Sequence, residues 1–542
     1  MNYSSLISMM TKASTYDADA QLFFNAQTAA GVTLTTTQMN AVNQWVVDAK
    51  AAGIWTKFKA IYPFVGSTAT SQKFNLKNPA DTNAAFRLNF IGGGTHSSNG
   101  YQPNGINAFA DTFLSPSVAP LTNNSTHVSF YSRTNSIANT NDICAITSTG
   151  VININTRWSD GNLYADQYNF SSNRITIANA NSQGFYISTR TSSTVFKLFK
   201  NASQFGSTVT NVSTPNVTTI TSKIYLSAAN NNGVATNFSN RELAFASIGD
   251  GLTDLESQLF YQITEKYQVA LSRNINTTQS FYYNSAYNNE TNAFLFSTQI
   301  TDNTIQTATN TLVSDLKTAG VFTKMKALYP MVGGTATTHK FNLVNAQDTD
   351  AAFRLSFIGG WTHSANGALP NGTNAYANSF LIPSTALSSI NNSSFSFYNR
   401  TSNAYSNSPT HGIIPVTITD RMYVSDTSPT GYQIWGTENV SFNVSYSNVN
   451  RQGFYTAVRT ASNSRKTYRN GVVVGSNTGN DTGGALSSIS FFIGAANGGY
   501  TASTYTNNQI AFASIGDGLT DAEALALYNA VQTFNTTLAR QV

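Results

Sequence analysis

Two histidines in matching polar motifs are the side chains whose types and spacing first suggest chemistry. His96 and His363 each lie in the pattern Gly-Gly-x-Thr-His-Ser-x-Asn-Gly, where glycines allow a tight turn and polar groups gather. Such a loop can bind a glycan through its hydroxyl, imidazole and amide groups. The same side chains can instead hold the backbone of the loop by local hydrogen bonds.

A second pair of motifs, Pro-Asn-Gly-x-Asn, follows at 103–107 and 370–374. Asn-Gly is first a tight-turn signal and second a source of amides for a sugar. Trp361 stands where the first copy has Gly94, and it could stack on a sugar ring or fill core. We predict a glycan site in each copy, with stronger binding in the second. The candidate residues are His96, Asn99, Asn104, Asn107 and Arg87 in the first copy, and Trp361, His363, Asn366, Asn371, Asn374 and Arg354 in the second.

Arginines and acids near these motifs allow two further interpretations. Arg87 and Arg354 could each bind a ligand carboxylate, or pair with the nearby Asp81 or Asp348. Calcium needs six to eight oxygen ligands, to which Asp348 and Asp350 could contribute. The first copy has only one acid at these positions. We therefore expect no cofactor, with calcium as the alternative.

Acidic residues are also what a glycan-cleaving enzyme would need. Retaining cleavage uses two carboxyl groups about 5–5.5 Å apart, and the sequence has no Glu-x-Asp-x-Glu pattern. The acids that recur in both copies fall mainly in predicted turns and at helix N-termini, where helix capping explains them. We expect a protein that is not an enzyme.

The chain carries little charge for its length. Its 542 residues include 30 basic and 25 acidic ones, for a net charge of +5, and 41% are hydrophobic. Because no basic run is present, we expect no nucleic-acid partner. No apolar run approaches the roughly 18 residues of a transmembrane helix. The first residues resemble no secretory signal, and the single cysteine excludes an intrachain disulfide.

The sequence contains two homologous copies of one module. Residues 53–136 align with 320–403 at a constant offset of 267, with about 50 of 84 positions identical. The same offset holds near the end of each copy, where Ala-Phe-Ala-Ser-Ile-Gly-Asp-Gly recurs at 244–251 and 511–518. We predict an N-terminal segment (1–34), a first domain (35–273), a linker (274–301) and a second domain (302–542).

Hydrophobic spacing within a copy predicts a helix, then many short strands, then a helix. In the second copy Ile305, Leu312 and Leu316 repeat at helical spacing, and Gly320 follows where a C-cap is expected. The alternation at 86–90 predicts a half-buried strand. Many short strands separated by Asn, Gly and Ser turns favour an antiparallel sandwich.

The closing helix of each copy has a clear start signal. Thr253 with Glu256, and Thr520 with Glu523, form capping boxes directly after Gly-Asp-Gly-Leu. This ending resembles the closing segment of concanavalin A-like, laminin-G-like lectin domains. The run 466–474 is similar to their strand-Asn-Gly-strand hairpin. The first copy has Asn201-Ala202 there, so we expect a different turn.

Several strings, among them Ala-Ala-Phe-Arg-Leu and Gly-Gly-x-Thr-His-Ser, resemble modules in structural proteins of tailed bacteriophages, including phages of Bacteroidetes. The two resemblances imply a mostly β fold with two tandem concanavalin A-like jelly-roll β-sandwiches, each flanked by an N-terminal and a C-terminal α-helix. They also imply a location on the virion surface, in a head or tail appendage.

The leading hypothesis is a non-enzymatic virion structural protein that displays two lectin-like domains, which either bind host glycans or only build structure. Expected partners are other virion proteins (capsid, portal or tail), further copies of the chain and a host surface glycan. The first residues, with Leu6, Ile7, Met9 and Met10, are the candidate particle-docking region. A glycan depolymerase and a bacterial surface adhesin are the alternatives.

Overall fold

The computed structural model divides the chain into two compact units, residues 1–285 and 286–542. Both units are β-sandwiches flanked by helices, so the predicted fold class is confirmed. Leu6, Ile7, Met9 and Met10 lie outside the described residues. The structure describes residues 16–117, 121–168, 173–210, 218, 220–279, 282–403, 410–413, 422–427, 431–434, 444–446, 450–480 and 485–542.

The described part of the first unit contains four α-helices and seventeen strands. The helices are α1 Ala18–Ala29, α2 Thr36–Ala51, α3 Ala69–Gln72 and α4 Asp254–Ala270. The strands are β1 Phe58–Tyr62, β2 Asn89–Ile91, β3 Thr95–Ser97, β4 Gly100–Gln102, β5 Phe109–Asp111, β6 Thr126–Ser132, β7 Ile143–Thr147, β8 Gly150–Asn155, β9 Asn162–Gln167, β10 Ile175–Ala178, β11 Gly184–Ser192, β12 Val195–Lys200, β13 Ser203–Gln204, β14 Tyr225–Leu226, β15 Ala229–Asn231, β16 Val234–Thr236 and β17 Leu243–Gly249.

Two largely antiparallel sheets form the sandwich of the first unit. The first sheet has the order β13-β12-β11-β6-β17-β4-β3, with β1 also paired to β17. The second has the order β10-β9-β8-β7-β14-β5-β2, and β15 and β16 lie beside β7. Alternate side chains of each strand point between the sheets, where Phe130, Ile152 and Leu163 belong to one buried core.

Helices α2 and α4 cover the outer face of the first sheet. The Trp45 indole of α2 donates from Nε1 to Oγ1 of Thr264 at 3.3 Å. Phe260 of α4 packs edge-on against Phe185 and Phe245, with ring centroids 5.0 and 5.9 Å apart. The layers are therefore helices, first sheet and second sheet. On the outer face of the second sheet, Cys144 and Val151 are buried against Ala229, so β15 covers part of that face.

The second unit repeats this arrangement. Its first sheet has the order β20-β21-β34-β23-β28-β29-β30, with β18 paired to β34, and the described strands of its other layer pair as β19-β22-β31 and β27-β26-β25-β24-β32-β33. The helices are α5 Asn289–Thr298, α6 Asn303–Thr318, α7 Ala336–His339, α8 Pro383–Ala386 and α9 Asp521–Thr537. The strands are β18 Met325–Tyr329, β19 Ser356–Ile358, β20 Trp361–Ser364, β21 Gly367–Pro370, β22 Tyr376–Asn378, β23 Ser393–Asn399, β24 Thr410–Ile413, β25 Met422–Thr427, β26 Gly431–Ile434, β27 Val444–Tyr446, β28 Gly453–Ala461, β29 Ser464–Arg469, β30 Val472–Asn477, β31 Phe492–Ile493, β32 Ala496–Asn497, β33 Ala502–Ser503 and β34 Ile510–Gly516.

The predicted helix boundaries are confirmed where caps define them. Thr253 and Glu256 make both bonds of a capping box at α4, and Thr520 and Glu523 do so at α9. Helix α6 ends at Thr318 and is followed by Gly320 in the left-handed region, with φ 70°. Helices α1 and α5 lie within the predicted N-terminal segment and linker.

Two local predictions from the sequence are wrong. Residues 83–85 form a 3₁₀ turn and Phe86 is left-handed, so only β2, at 89–91, is strand. Phe86 still packs on the core, and the Tyr62 hydroxyl donates to its carbonyl at 2.7 Å. The turn at Asn201-Ala202 also does not differ from its counterpart. Its φ angles of 49° and 71° match the 49° and 75° of Asn470-Gly471.

A buried arginine at the end of each closing helix ties the unit together. Arg273 donates from Nη2 to the carbonyls of Pro63 (2.8 Å) and Ala244 (2.9 Å), and from Nη1 to those of Phe64 (2.7 Å) and Ser98 (3.3 Å). These carbonyls belong to the segment after β1, the β3–β4 turn and the last strand. One guanidinium thus joins these three segments to the end of α4.

Arg540 occupies the same place in the second unit. It bonds to the carbonyls of Pro330, Met331, Ala365 and Ala511, each 267 residues after its counterpart in the first unit. Burial lowers the pKa of this guanidinium to about 9. The group therefore stays charged at neutral pH, and its charge is solvated by backbone carbonyl dipoles.

Replacing Arg273 with Met should reduce the free energy of unfolding of the first unit by about 3–5 kcal/mol, because it leaves several buried carbonyls without donors. Calorimetry of the full chain should show one of two transitions shifted down. Arg87→Met, at an exposed ion pair, is the matched control and should cost at most about 1 kcal/mol. Equal effects of the two variants would contradict the role given to Arg273.

Candidate functional site

The predicted histidine loops are short β-hairpins at the edge of each first sheet. In the first unit β3 and β4 form the hairpin, and His96 Nδ1 lies 2.7 Å from Oε1 of Gln72. The half-buried ring packs edge-on against Phe90, with centroids 4.5 Å apart, and burial lowers its pKa. The imidazole therefore fills a gap beneath the hairpin.

The second unit replaces this contact with a pair of histidines. Nδ1 of His363 lies 2.9 Å from Nδ1 of His339, so one ring must donate and the other accept. His339 is fully buried, and burial, the neighbouring His363 and the Arg540 guanidinium lower its pKa to about 3. Burial also lowers the pKa of His363. Both rings are therefore neutral at pH 7.

The side-chain amides predicted to bind sugar in the Pro-Asn-Gly-x-Asn motifs form hydrogen bonds within their own turns. Oδ1 of Asn104 accepts bonds from the backbone N–H groups of 106, 107 and 108, and its Nδ2 donates to Asn107. Asn371 makes the same four bonds, with Asn374 as the side-chain partner. In both units the turn-forming role accounts for these residues.

Arg87 and Arg354 are paired with acids, as one of the two interpretations predicts. Arg87 donates to Asp81 at 3.0 Å, and Arg354 donates to Asp348 (3.2 Å) and Asp350 (2.9 Å). The two carboxylates considered for calcium thus bind a guanidinium. Among the residues the structure describes, no group of three or more His, Cys, Asp or Glu side chains could hold a metal ion.

Trp361 fills core space that Tyr101 fills in the first unit. Its half-buried ring packs on Phe357 and Gly494, and Nε1 donates to the carbonyls of Ile358 (3.1 Å) and Tyr376 (3.2 Å). In the first unit the buried Tyr101 ring leaves no room for a side chain at Gly94. Trp361 of β20 therefore fills the space that Tyr101 of β4, the other strand of the hairpin, fills in the first unit.

Of the predicted site residues, Asn99 and Asn366 are exposed at the hairpin tips, and the four asparagines of the Asn-Gly-x-Asn turns are exposed beside them. The structure brings His363 close to Trp361, with centroids 6.2 Å apart. The Asn-Gly-x-Asn amides and the arginines are held by other partners. The hairpins thus retain few polar groups to offer a ligand.

The histidine pair makes the second unit sensitive to acid. Because both pKa values are lowered in the folded protein, the unfolded chain binds protons first as the pH falls below about 6.5. The free energy of unfolding of the second unit should therefore decrease as the pH falls from 6.5 to about 3. His339→Gln, which recreates the pairing of the first unit, should remove part of this decrease, because buried His411, whose pKa is also lowered to about 3, stays in place. Urea unfolding of the parent protein and of His339→Gln across this pH range tests the prediction. The same dependence of the unfolding free energy on pH in both proteins would contradict it.

A groove that the sequence did not predict lies on the outer face of the second sheet in the first unit. Ile152, Ile154 and Leu163 face the core, so the alternating residues of β8 and β9 face outwards. There they enclose a cavity of about 350 Å³. Its lining residues are Asn141, Ile146, Val151, Asn153, Asn155, Trp158, Tyr164, Arg174 and Asn237.

A chain of hydrogen bonds runs along the floor of the groove. The Asn237 amide donates to Asn141 at 3.2 Å, and Asn141 donates to Asn153 at 2.7 Å. Asn153 donates in turn to Oδ2 of Asp166 at 3.2 Å. Asn141, Asn153 and Asp166 are all buried, so these bonds fix their orientation.

Arg174 closes this network with a two-pronged ion pair. Its Nε and Nη2 donate to the two oxygens of Asp166 at 2.8 and 2.9 Å. Asp166 is fully buried, and that burial raises its pKa, while the bond to Asp166 raises the pKa of Arg174. The guanidinium also lies over the Tyr164 ring, 5.2 Å from its centroid.

Two half-exposed aromatic rings and one amide remain to meet a ligand. Trp158 and Tyr164 line the groove, and the Tyr164 hydroxyl donates to Asp160. Asn155 is only 6% exposed, and its Oδ1 has no hydrogen-bond partner among the described residues. A buried acceptor without a donor is costly, so a ligand hydroxyl or N–H would stabilise it.

The sequence does contain a signal for this groove. The run Ile152-Asn153-Ile154-Asn155 alternates apolar and amide residues, so one face of a buried strand is lined with amides. The repeated motifs instead favour the loops that recur in both copies. The corresponding face of the second unit falls largely on residues outside the described ranges.

Comparison with known proteins gives no family assignment. No protein-family model and no curated protein matches the chain. Solved structures give distant likenesses. They include botulinum neurotoxin type C, studied for its interaction with two ganglioside molecules, at 14% identity and a TM-score of 0.27, covering 40% of this chain and 53% of that one.

Two further likenesses are similarly distant. Domain 4 of AbnA, an extracellular arabinanase from Geobacillus stearothermophilus in complex with arabinotriose, is 15% identical, with a TM-score of 0.24, and 38% of this chain covers 98% of that domain. The binding domain of botulinum neurotoxin DC in complex with SialylT is 16% identical, with a TM-score of 0.24, over 33% and 47% of the two chains. This chain spans about half the length of the neurotoxin chains. At these TM-scores the likenesses decide nothing about its function.

Proposed function

We propose that the protein is a non-enzymatic carbohydrate-binding component of a bacteriophage particle. The observation that carries the binding role is the groove on the second sheet of the first unit. It combines two aromatic rings, a line of oriented amides and an unsatisfied buried acceptor, which is the mixture that small-molecule sites use for affinity and orientation.

The groove chemistry supports binding without cleavage. None of the described residues that line it carries a carboxyl group. Asp166, directly beneath, is fully buried and held by both prongs of Arg174. Glycoside hydrolysis requires two carboxyl groups flanking the bond to be cut, so the depolymerase alternative receives no support from this site.

The particle location is supported by the sequence. The two copies of one module, the low-charge polar composition and the strings that resemble tailed-phage structural proteins all favour it. Several copies of the chain on one particle would raise a weak glycan affinity through effective concentration. No described helix is long and apolar enough to cross a membrane.

Replacing Trp158 with Ala should weaken glycan binding at least tenfold, because it removes one wall of the groove. A glycan array followed by titration calorimetry on the strongest hit measures the loss. Tyr500→Ala, which removes a ring that is 76% exposed in the second unit, is the matched control and should bind like the parent. Unchanged binding by Trp158→Ala would contradict the site.

Particle docking is expected to use the residues that precede α1. Phe23 and Phe24 of α1 are buried in the first unit, so a useful deletion must stop before this helix. A chain lacking residues 2–15 should fold and still bind glycan but fail to join particles in an infected host. Normal incorporation of the shortened chain, measured on purified particles, would contradict docking by this segment.

A further inference from the structure

The charges around the groove define the class of sugar that it can take. Arg174 is the one cationic residue among those lining the cavity, and Asp166 engages it through two short bonds. A ligand carboxylate would have to compete with a buried carboxylate that is already aligned with the guanidinium. Breaking that pair would leave Asp166 charged, buried and unpaired, which is costly.

A carboxylate lies at the rim of the groove. Asp160 lies beside the groove, where it accepts a bond from the Tyr164 hydroxyl and from the backbone N–H of Asn162. These bonds hold the pKa of its carboxyl below the usual value. An exposed carboxylate at this position disfavours anionic ligands by repulsion.

The unsatisfied acceptor on the floor of the groove also favours uncharged ligands over anionic ones. Oδ1 of Asn155 needs a hydrogen-bond donor, and sugar hydroxyl and acetamido N–H groups are donors. Carboxylate and sulfate groups only accept hydrogen bonds. An anionic substituent at this point would place two acceptors against each other.

The cavity size fits a short piece of such a ligand. Its volume of about 350 Å³ is at the small end of ligand pockets. The half-exposed rings of Trp158 and Tyr164 can pack against the apolar faces of roughly one or two sugar rings.

We propose that this groove selects uncharged sugars that present a hydroxyl or acetamido N–H to Asn155, and that the Asp166–Arg174 pair excludes acidic ones. This inference rests on the proposed carbohydrate-binding function. Asp166 acts as a positioning residue, because it occupies the guanidinium that would otherwise attract an anion.

The test uses the full chain and matched pairs of oligosaccharides that differ by one charged group. Galactose, glucose and N-acetylglucosamine oligomers are titrated beside their uronate or sialylated counterparts. We expect at least tenfold tighter binding of the neutral member. We also expect little change in its affinity between low and high salt, because no net charge attraction is involved.

Asp166→Asn frees the guanidinium while keeping the shape of the side chain. This substitution should raise the affinity for the acidic oligosaccharides at least fivefold. It should therefore reduce the ratio of the affinities for the neutral and acidic members of each pair. Asp48→Asn is the matched control, because Asp48 is also a buried carboxylate, paired with Lys266 in the same unit. It should leave the preference unchanged.

The outcomes separate the two claims. Equal or tighter binding of acidic sugars by the parent protein would overturn the neutral preference and leave the carbohydrate-binding function standing. Failure of the folded protein to bind any sugar of the panel would overturn both. If Asp166→Asn does not fold, as judged by its thermal melt, the parent panel and its salt dependence still decide the preference.

Discussion

The buried arginine at the end of each closing helix is the interaction on which the rest of the unit depends. Arg273 and Arg540 each hold the last helix against the segment after the first long strand, the last strand and the tip of the edge hairpin. Because the bonds to the segment after the first long strand and to the last strand are buried, neither segment can move away without leaving a buried acceptor unsatisfied. The arginine therefore holds the closing helix against the first sheet.

That constraint decides which surfaces remain for binding. The helix layer covers the outer face of the first sheet, and the guanidinium contacts the hairpin tip through the carbonyl of Ser98 or Ala365. The repeated Gly-Gly-x-Thr-His-Ser hairpin is thus part of the scaffold. In the first unit β15, β16 and the residues beside them cover part of the outer face of the second sheet, and the neighbouring part carries oriented amides beside two aromatic rings.

Much of the fold could be predicted from the sequence, because local physical rules determine it. The capping boxes at Thr253 and Thr520 depend on neighbouring residues, and the duplication is visible as direct repetition.

The site could not be located in the same way. Repetition of a motif favoured the hairpins, but a repeated motif also marks what both units need for folding. Tyr101 and Trp361 fill the same space from different strands of the hairpin, so their equivalence can be seen only once the pairing of the two strands is known. Local spacing indicates the amide face of β8, but Asn237 reaches Asn141 from 96 residues along the chain, and no local spacing indicates that contact.

The most direct test of this account is a crystal structure of the full chain grown with the neutral oligosaccharide that it binds most tightly. We expect sugar density between Trp158 and Tyr164, with a ligand hydroxyl or N–H within hydrogen-bond distance of Asn155 Oδ1. Sugar density at the hairpin tips, beside Asn99 or Asn366, with the groove empty would contradict it.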